Sequence, residues 1–157
     1  FGICLGMQCA VIDLARHQCK FKAANSTEFN KKTKFPVIDL MEAQKKIRYK
    51  GGSMRLGSYR CSISPGTKAF SSYRKKIIHE RHRHRYEFNN KYKSKLISAG
   101  MRISGKNEKL NLVEMIEISN HPWFVGVQFH PELKSRLIKT HPLFKEFVKA
   151  SVKFRDV

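Results

Sequence analysis

The thiol of Cys4 stands between two glycines in Gly2-Ile3-Cys4-Leu5-Gly6. This is the cysteine form of the G-x-S-x-G pattern, which presents a nucleophile on a sharp turn from strand to helix. Such a turn strains its central residue, and side chains on either flank are expected to collide, so glycine suits both positions. A sulfur held there sits at a helix N-terminus, where the dipole and free N–H groups favour thiolate over thiol. The N–H of Leu5 is placed to meet a developing oxyanion. By itself the pentapeptide fits equally well a core cysteine in an ordinary βα turn.

A thiol nucleophile needs a proton acceptor, and the chain has 7 histidines. His17, His79, His121 and His141 stand in polar or turn surroundings with no special neighbour, and His82 and His84 lie in a basic run. His130 follows the apolar segment Trp123 to Phe129, so it emerges at the end of a core strand, where the sites of α/β proteins collect. Pro131 fixes the backbone and Glu132 follows. In an extended segment residues i and i+2 point the same way, so Glu132 can hold one ring N–H and stabilise the imidazolium as it forms. A strand-capping histidine beside a solvated glutamate fits the same residues.

The elements that must position these groups are legible from periodicity. Gly2-Ile3 reads as a strand end, and Gly6 to Arg16 as a helix apolar on most sides and hence buried. Asn25-Ser26-Thr27 is a polar break, Pro36 to Leu40 a short strand, Lys50-Gly51-Gly52 a turn, and Ser53 to Cys61 extended. Lys68 to Lys76 reads as a short helix, and Asn89 to Ala99 as another stopped by Gly100. Leu110 to Ile118 and Trp123 to Phe129 are core strands joined by a turn at Ser119-Asn120-His121-Pro122. Pro142 opens a final helix, predicted to bury Leu143, Phe144, Phe147, Val148 and Val152 while Lys145, Lys149 and Lys153 face solvent. The alternation of strands and helices argues an α/β fold.

Composition bounds what such a fold does. The 157 residues carry 32 Lys+Arg against 12 Asp+Glu, a net charge of +20. Lys and Arg number ten in residues 1–50, twelve in 51–100 and ten in 101–157. A nucleic-acid footprint is a stripe or a tail, and this is an even wash, so nucleic acid is disfavoured as the main partner. No apolar run approaches the roughly 18 residues of a membrane span, and the apolar start Phe1 to Leu14, with no basic segment before it and broken by Asp13, does not read as a signal peptide. Cys4, Cys9, Cys19 and Cys61 form no CxxC pair, so zinc spacing is absent and a reducing, cytosolic setting fits. Cys9 and Cys19 are predicted to be buried small hydrophobes. The chain starts without an initiator Met, in what reads as a buried strand, which predicts strands and loops preceding it.

Taken together, Gly2-Ile3-Cys4-Leu5-Gly6-Met7-Gln8 and Phe129-His130-Pro131-Glu132 resemble a class I glutamine amidotransferase domain. Four further stretches are similar to the glutaminase domains of the CTP synthase family. They are Asn25-Ser26-Thr27-Glu28-Phe29, Gly52-Ser53-Met54-Arg55-Leu56-Gly57, the run Glu80-Arg81-His82-Arg83-His84-Arg85-Tyr86-Glu87, and His121-Pro122-Trp123-Phe124-Val125. The resemblance implies an open mixed sheet flanked by helices, flavodoxin-like, with its first strands missing. Residues 1–157 would be part of one amidotransferase domain, with the synthetase domain outside the chain. It implies Cys4 as nucleophile, His130 as base and Glu132 as its orienter, with glutamine contacts from Leu5, Gly6, Met7, Gln8, Glu28 and Arg85.

Free glutamine is a zwitterion, so its site wants a fork donor for the carboxylate and an acceptor for the ammonium. As a strand the basic run puts Arg81, Arg83 and Arg85 on one face and His82, His84 and Tyr86 on the other. That geometry splits a metal site at His79, His82 and His84, and no metal is expected. Arg81 and Arg83 are predicted to pair with Glu80, Glu87 or a neighbouring domain. No cofactor is implied in this domain. The resemblance assigns ATP with Mg2+ and UTP to the missing domain, GTP as activator, a homotetramer for the intact protein, a cytoplasmic location and no membrane partner. The second oxyanion donor would come from an upstream glycine-rich loop, so this chain alone is expected to be weak or inactive. Two alternatives are another class I amidotransferase or γ-glutamyl hydrolase, and a basic nucleic-acid-binding module.

Overall fold

A computed structural model describes residues 1–40 and 54–155. The turn expected at Lys50-Gly51-Gly52, and Ser53, lie outside the described residues. In chain order the elements are β1 (Gly2–Ile3), α1 (Leu5–His17), β2 (Ala24–Ser26), β3 (Phe35–Leu40), β4 (Arg55–Ile63), α2 (Lys68–Tyr73), β5 (Ile77–His84), β6 (Tyr86–Phe88), a 3-10 turn (Asn90–Tyr92), α3 (Lys93–Ser98), β7 (Met101–Asn107), β8 (Leu112–Ile118), β9 (Val125–Val127), a 3-10 turn (Pro131–Leu133) and α4 (Pro142–Arg155).

Six strands form an open mixed sheet in the order β1-β9-β8-β7-β4-β5. Only β1 and β9 run parallel, with Gly2 opposite Gly126 and Ile3 opposite Val127. A second sheet, β2-β3-β6, pairs β2 parallel and β6 antiparallel to β3. Helices flank the strands, as the alternation of elements predicts.

The strands carry apolar residues toward both faces of the large sheet. On one side Met7, Val11, Ile12 and Ala15 of α1 pack against Ile116, Met101 and the small sheet's Val37, Ile38 and Phe88. On the other, Val125, Val127, Met115 and Phe129 pack with Ala69 of α2 and Leu143 of α4. Each fully buried aliphatic or aromatic side chain of this kind contributes about 1.5–3 kcal/mol. α1 is buried along one face rather than all round: Cys9, Asp13 and Arg16 are exposed.

Several expectations are corrected by packing. The polar Asn25-Ser26 joins a short strand, because its backbone groups pair with β3. α2 stops at Tyr73, where Arg74 turns left-handed at φ 53°. Asn89 to Ala99 divides into a 3-10 turn and α3. β9 keeps only three residues of the longer strand expected over Trp123 to Phe129.

β7 alternates apolar and polar residues only over Met101-Arg102-Ile103-Ser104, and Gly105 and Lys106 then break the pattern. It is a strand because β4 and β8 flank it, and its Gly105 fits because a Cβ there would lie 2.7–2.8 Å from Met115 and Cys61. On α4 only Leu143 is buried; Phe147, Val148, Val152 and Phe154 are exposed. The cysteines are also redistributed: Cys9 is exposed, Cys19 half-buried and Cys61 buried.

Candidate active site

Cys4 follows β1 directly and caps α1 with φ 50° and ψ −103°. A non-glycine residue in such a conformation costs of order 1–3 kcal/mol and is held only where its surroundings fix it. Here they do. The Cys4 N–H donates to Val127 O at 2.7 Å, and its carbonyl accepts from the Gln8 N–H at 3.2 Å. Gly2 is required by close approach, since a Cβ would meet backbone atoms of Gly6 and Met7 at 2.9 Å. Gly6 is different: nothing lies within 4 Å of a Cβ built there, so the expected collision on that flank is absent and the space is open.

The parallel pairing of β1 and β9 brings Cys4, Gln128 and His130 to one end of the sheet. Beyond β9 the chain crosses to β5, at the far end of the strand order, where the His130 N–H donates to Arg81 O at 2.8 Å. Nδ1 of His130 lies 2.5 Å from Glu132 Oε1. Its Nε2 is buried without a hydrogen-bond partner among the described residues. A ring held at one nitrogen and unpartnered at the other is the arrangement a proton shuttle needs.

The sulfur receives the amide of Gln128 at 3.7 Å, and the adjacent Leu5 N–H acts on it in the same direction. Both favour thiolate, but burial outweighs them, and the charges of Glu132 and Glu87 add to it, so the thiol is held above its ordinary value. The helix N-terminus alone therefore does not ionise Cys4, contrary to the simple expectation from sequence. A base is needed.

The other candidates gather at the same end. Leu5, Gly6 and Met7 precede the first intrahelical donor, Gln8, so their N–H groups are the free ones of α1. Met7's side chain is fully buried in the core, so only its backbone faces the site. Gln8 is buried too, its Nε2 donating to Tyr86 O at 2.9 Å and to Gln128 Oε1 at 3.1 Å. In the small sheet Ser26 and Phe88 both sit opposite Ile38, and Tyr86 opposite Leu40. Glu28, exposed just beyond β2, and Arg85, just before β6, therefore flank one end of that sheet, the end to which Gln8 is bonded.

The basic run alternates as predicted through His84, with His79, Arg81 and Arg83 exposed and Glu80, His82 and His84 buried. It breaks at Arg85, and Tyr86 enters the other sheet rather than continuing the histidine face. Arg81 and Arg83 do not pair with Glu80 or Glu87, which have other partners. Glu80 meets Lys134, Tyr73 and a buried His141, a histidine whose sequence surroundings gave no hint of it. Glu87 meets Arg55 at 2.9 Å and His84 at 2.7 Å.

Arg55 also holds Glu114 at 2.8 Å, and His82 stands 3.5 Å from the other Glu114 oxygen. This buried ionic cluster lies behind the site: the Glu114 carbonyl accepts the backbone N–H of Gln128 at 2.9 Å. Among the described residues no group of three or more His, Cys, Asp or Glu could hold a metal ion.

The glutamine amidotransferase class-I family model matches residues 1–150, and the chain belongs to that family. The CTP synthases of Chlorobium phaeobacteroides and Chloroherpeton thalassium are 62% and 60% identical to it, over 98% and 99% of this chain. The chain spans only 27% and 28% of the length of those relatives. Among solved structures, the glutaminase domain of Trypanosoma brucei CTPS with bound acivicin superposes with a TM-score of 0.90 at 37% identity, covering 98% of this chain and 60% of that one.

Proposed function

We propose that this site hydrolyses the side-chain amide of glutamine to glutamate and ammonia. The reading rests above all on one observation: a strained Cys4 and the unpartnered Nε2 of His130 stand at the same end of the β1–β9 pair. His130 takes the thiol proton, and the sulfur attacks the amide carbon. The oxyanion meets the Leu5 N–H and a second donor. His130 returns the proton to the departing nitrogen, ammonia leaves, and a glutamyl thioester remains. Water, deprotonated by His130, cleaves the thioester and restores the thiol. Glu132 orients the ring throughout. The N–H groups of Leu5, Gly6 and Met7, together with Gln8, Glu28 and Arg85, hold the substrate, Arg85 as fork to its carboxylate and Glu28 as acceptor for its ammonium.

In the whole protein the ammonia aminates UTP to CTP in an ATP-dependent step, as the names of the close relatives suggest. ATP with Mg2+, UTP and the activator GTP bind outside these residues, and the enzyme is a cytoplasmic homotetramer. The test is glutamate release from glutamine by the complete polypeptide. Cys4→Ser and His130→Asn are expected to lower kcat at least a thousandfold, on the order of what loss of a nucleophile or its base costs. Near-normal turnover by Cys4→Ser would overturn the reading.

A further inference from the structure

Gln128 has no role in the reaction as just described, yet it is fully buried and its amide is the one side chain hydrogen-bonded to the Cys4 sulfur among the described residues. Its orientation is set from a distance. The carbonyl of Tyr86 can only accept, so the Gln8 amide must turn its NH2 that way. The same NH2 then donates to Gln128 Oε1 at 3.1 Å. With its oxygen committed, Gln128 can present only its NH2 to the sulfur.

We infer that Gln128 is a positioning residue that holds the Cys4 sulfur with an amide donor, its orientation relayed through Gln8 from the backbone carbonyl of Tyr86. An N–H aimed at sulfur favours the anion that attacks over the resting thiol, and burial on every side keeps water from replacing it. Gln128 opposes the burial and the two carboxylate charges that act against ionisation. The relay also has a consequence for Gln8. Its Nε2 is engaged twice, so any contact it makes with glutamine runs through Oε1. Tyr86 adjoins Arg85, so the segment that carries the fork for the substrate carboxylate also fixes the sulfur's donor.

The inference rests on the proposed reaction for the name nucleophile, but its test does not use turnover. On the full chain, the rate of alkylation of Cys4 by iodoacetamide is followed against pH, with the Cys4 peptide resolved by mass from those of Cys9, Cys19 and Cys61. Gln128→Met, close in volume and without a donor, is expected to displace the profile upward by about one unit and slow alkylation at neutral pH about tenfold. Gln8→Met frees the Gln128 amide to rotate and is expected to shift it the same way by less. Should Gln128→Met not fold, Gln8→Met carries the decision. Profiles superimposable on that of the unaltered chain, with only the melting temperature lowered, would reduce Gln128 to a structural amide and overturn the proposal.

Discussion

Glu132 Oε1 stands 2.5 Å from His130 Nδ1 although the backbone between them is a 3-10 turn and not the extended chain that would put residues i and i+2 on one side. Pro131 at the start of the turn folds the carboxylate back onto the ring. Glu132→Gln keeps an oxygen near Nδ1 but removes the charge that steadies the imidazolium. Because Glu132 is half exposed, solvent screens part of that effect. We expect kcat to fall roughly 10- to 100-fold with KM for glutamine little changed, measured by glutamate release.

The two glycines around Cys4 separate packing from function. Gly2→Ala forces a methyl to within 2.9 Å of the Gly6 and Met7 backbone and should destabilise the chain by about 1–3 kcal/mol, seen as a lower denaturation midpoint. Gly6→Ala meets open space, and as a helical position it should hold or gain up to about 1 kcal/mol. Its methyl would project where the substrate is proposed to lie, so KM should rise while stability does not fall. Equal destabilisation by both substitutions would contradict the assignment of Gly6 to the binding site.

The family was legible in the sequence, and the candidate site could be named there, because both rest on residue types at short spacing, Gly2 to Gly6 and His130 to Glu132. What was not legible depended on partners distant in the chain. Gln128 lies 124 residues from the sulfur it donates to. His141 reads as a turn residue until Glu80, 61 residues away, is folded against it. β7 alternates only over Met101 to Ser104, too short a signal beside Gly105, and its pairing with β4 and β8 extends the strand to Asn107. The outer face of α4 has the apolar spacing of a buried stripe, yet Val148 and Val152 are exposed.

Arg55 bridges two carboxylates in the interior, with Glu87 and Glu114 both at least 98% buried. Removing it leaves uncompensated charge, so Arg55→Leu should cost about 3–5 kcal/mol. Arg55→Lys, which lacks the fork, should recover only part of this. Chemical denaturation measures both.

The same cluster sets a dependence of stability on pH. Burial first, against the favourable charge of Arg55, raises Glu114 from 4.5 to about 7. The folded state then binds the extra proton. Its contribution is fully present below pH 4.5, declines as pH rises toward about 7 and is lost above it. Burial, and then the charge of Arg55, lowers His82 from 6.5 to about 2, the opposite case: stability is present above pH 6.5 and is lost as pH falls toward about 2. Between pH 4.5 and 6.5 the two slopes oppose each other, and below pH 4.5 only the loss from His82 continues. The unaltered chain should therefore gain stability over Glu114→Gln as pH falls from 7 to 4.5, by at most about 3 kcal/mol. A difference independent of pH would show that Glu114 stays ionised.

The account stands or falls on which sulfur a glutamine-like electrophile finds. Labelling with a diazoketone analogue of glutamine, read by peptide mass on the complete polypeptide and on this chain, is expected to mark Cys4 alone, to be blocked by glutamine and to vanish in Cys4→Ser. Cys9 is more exposed than Cys4, so indiscriminate alkylation would reach it first. Marks shared among Cys9, Cys19 and Cys4, with no protection by glutamine, would contradict an amide-cleaving site at the end of β1.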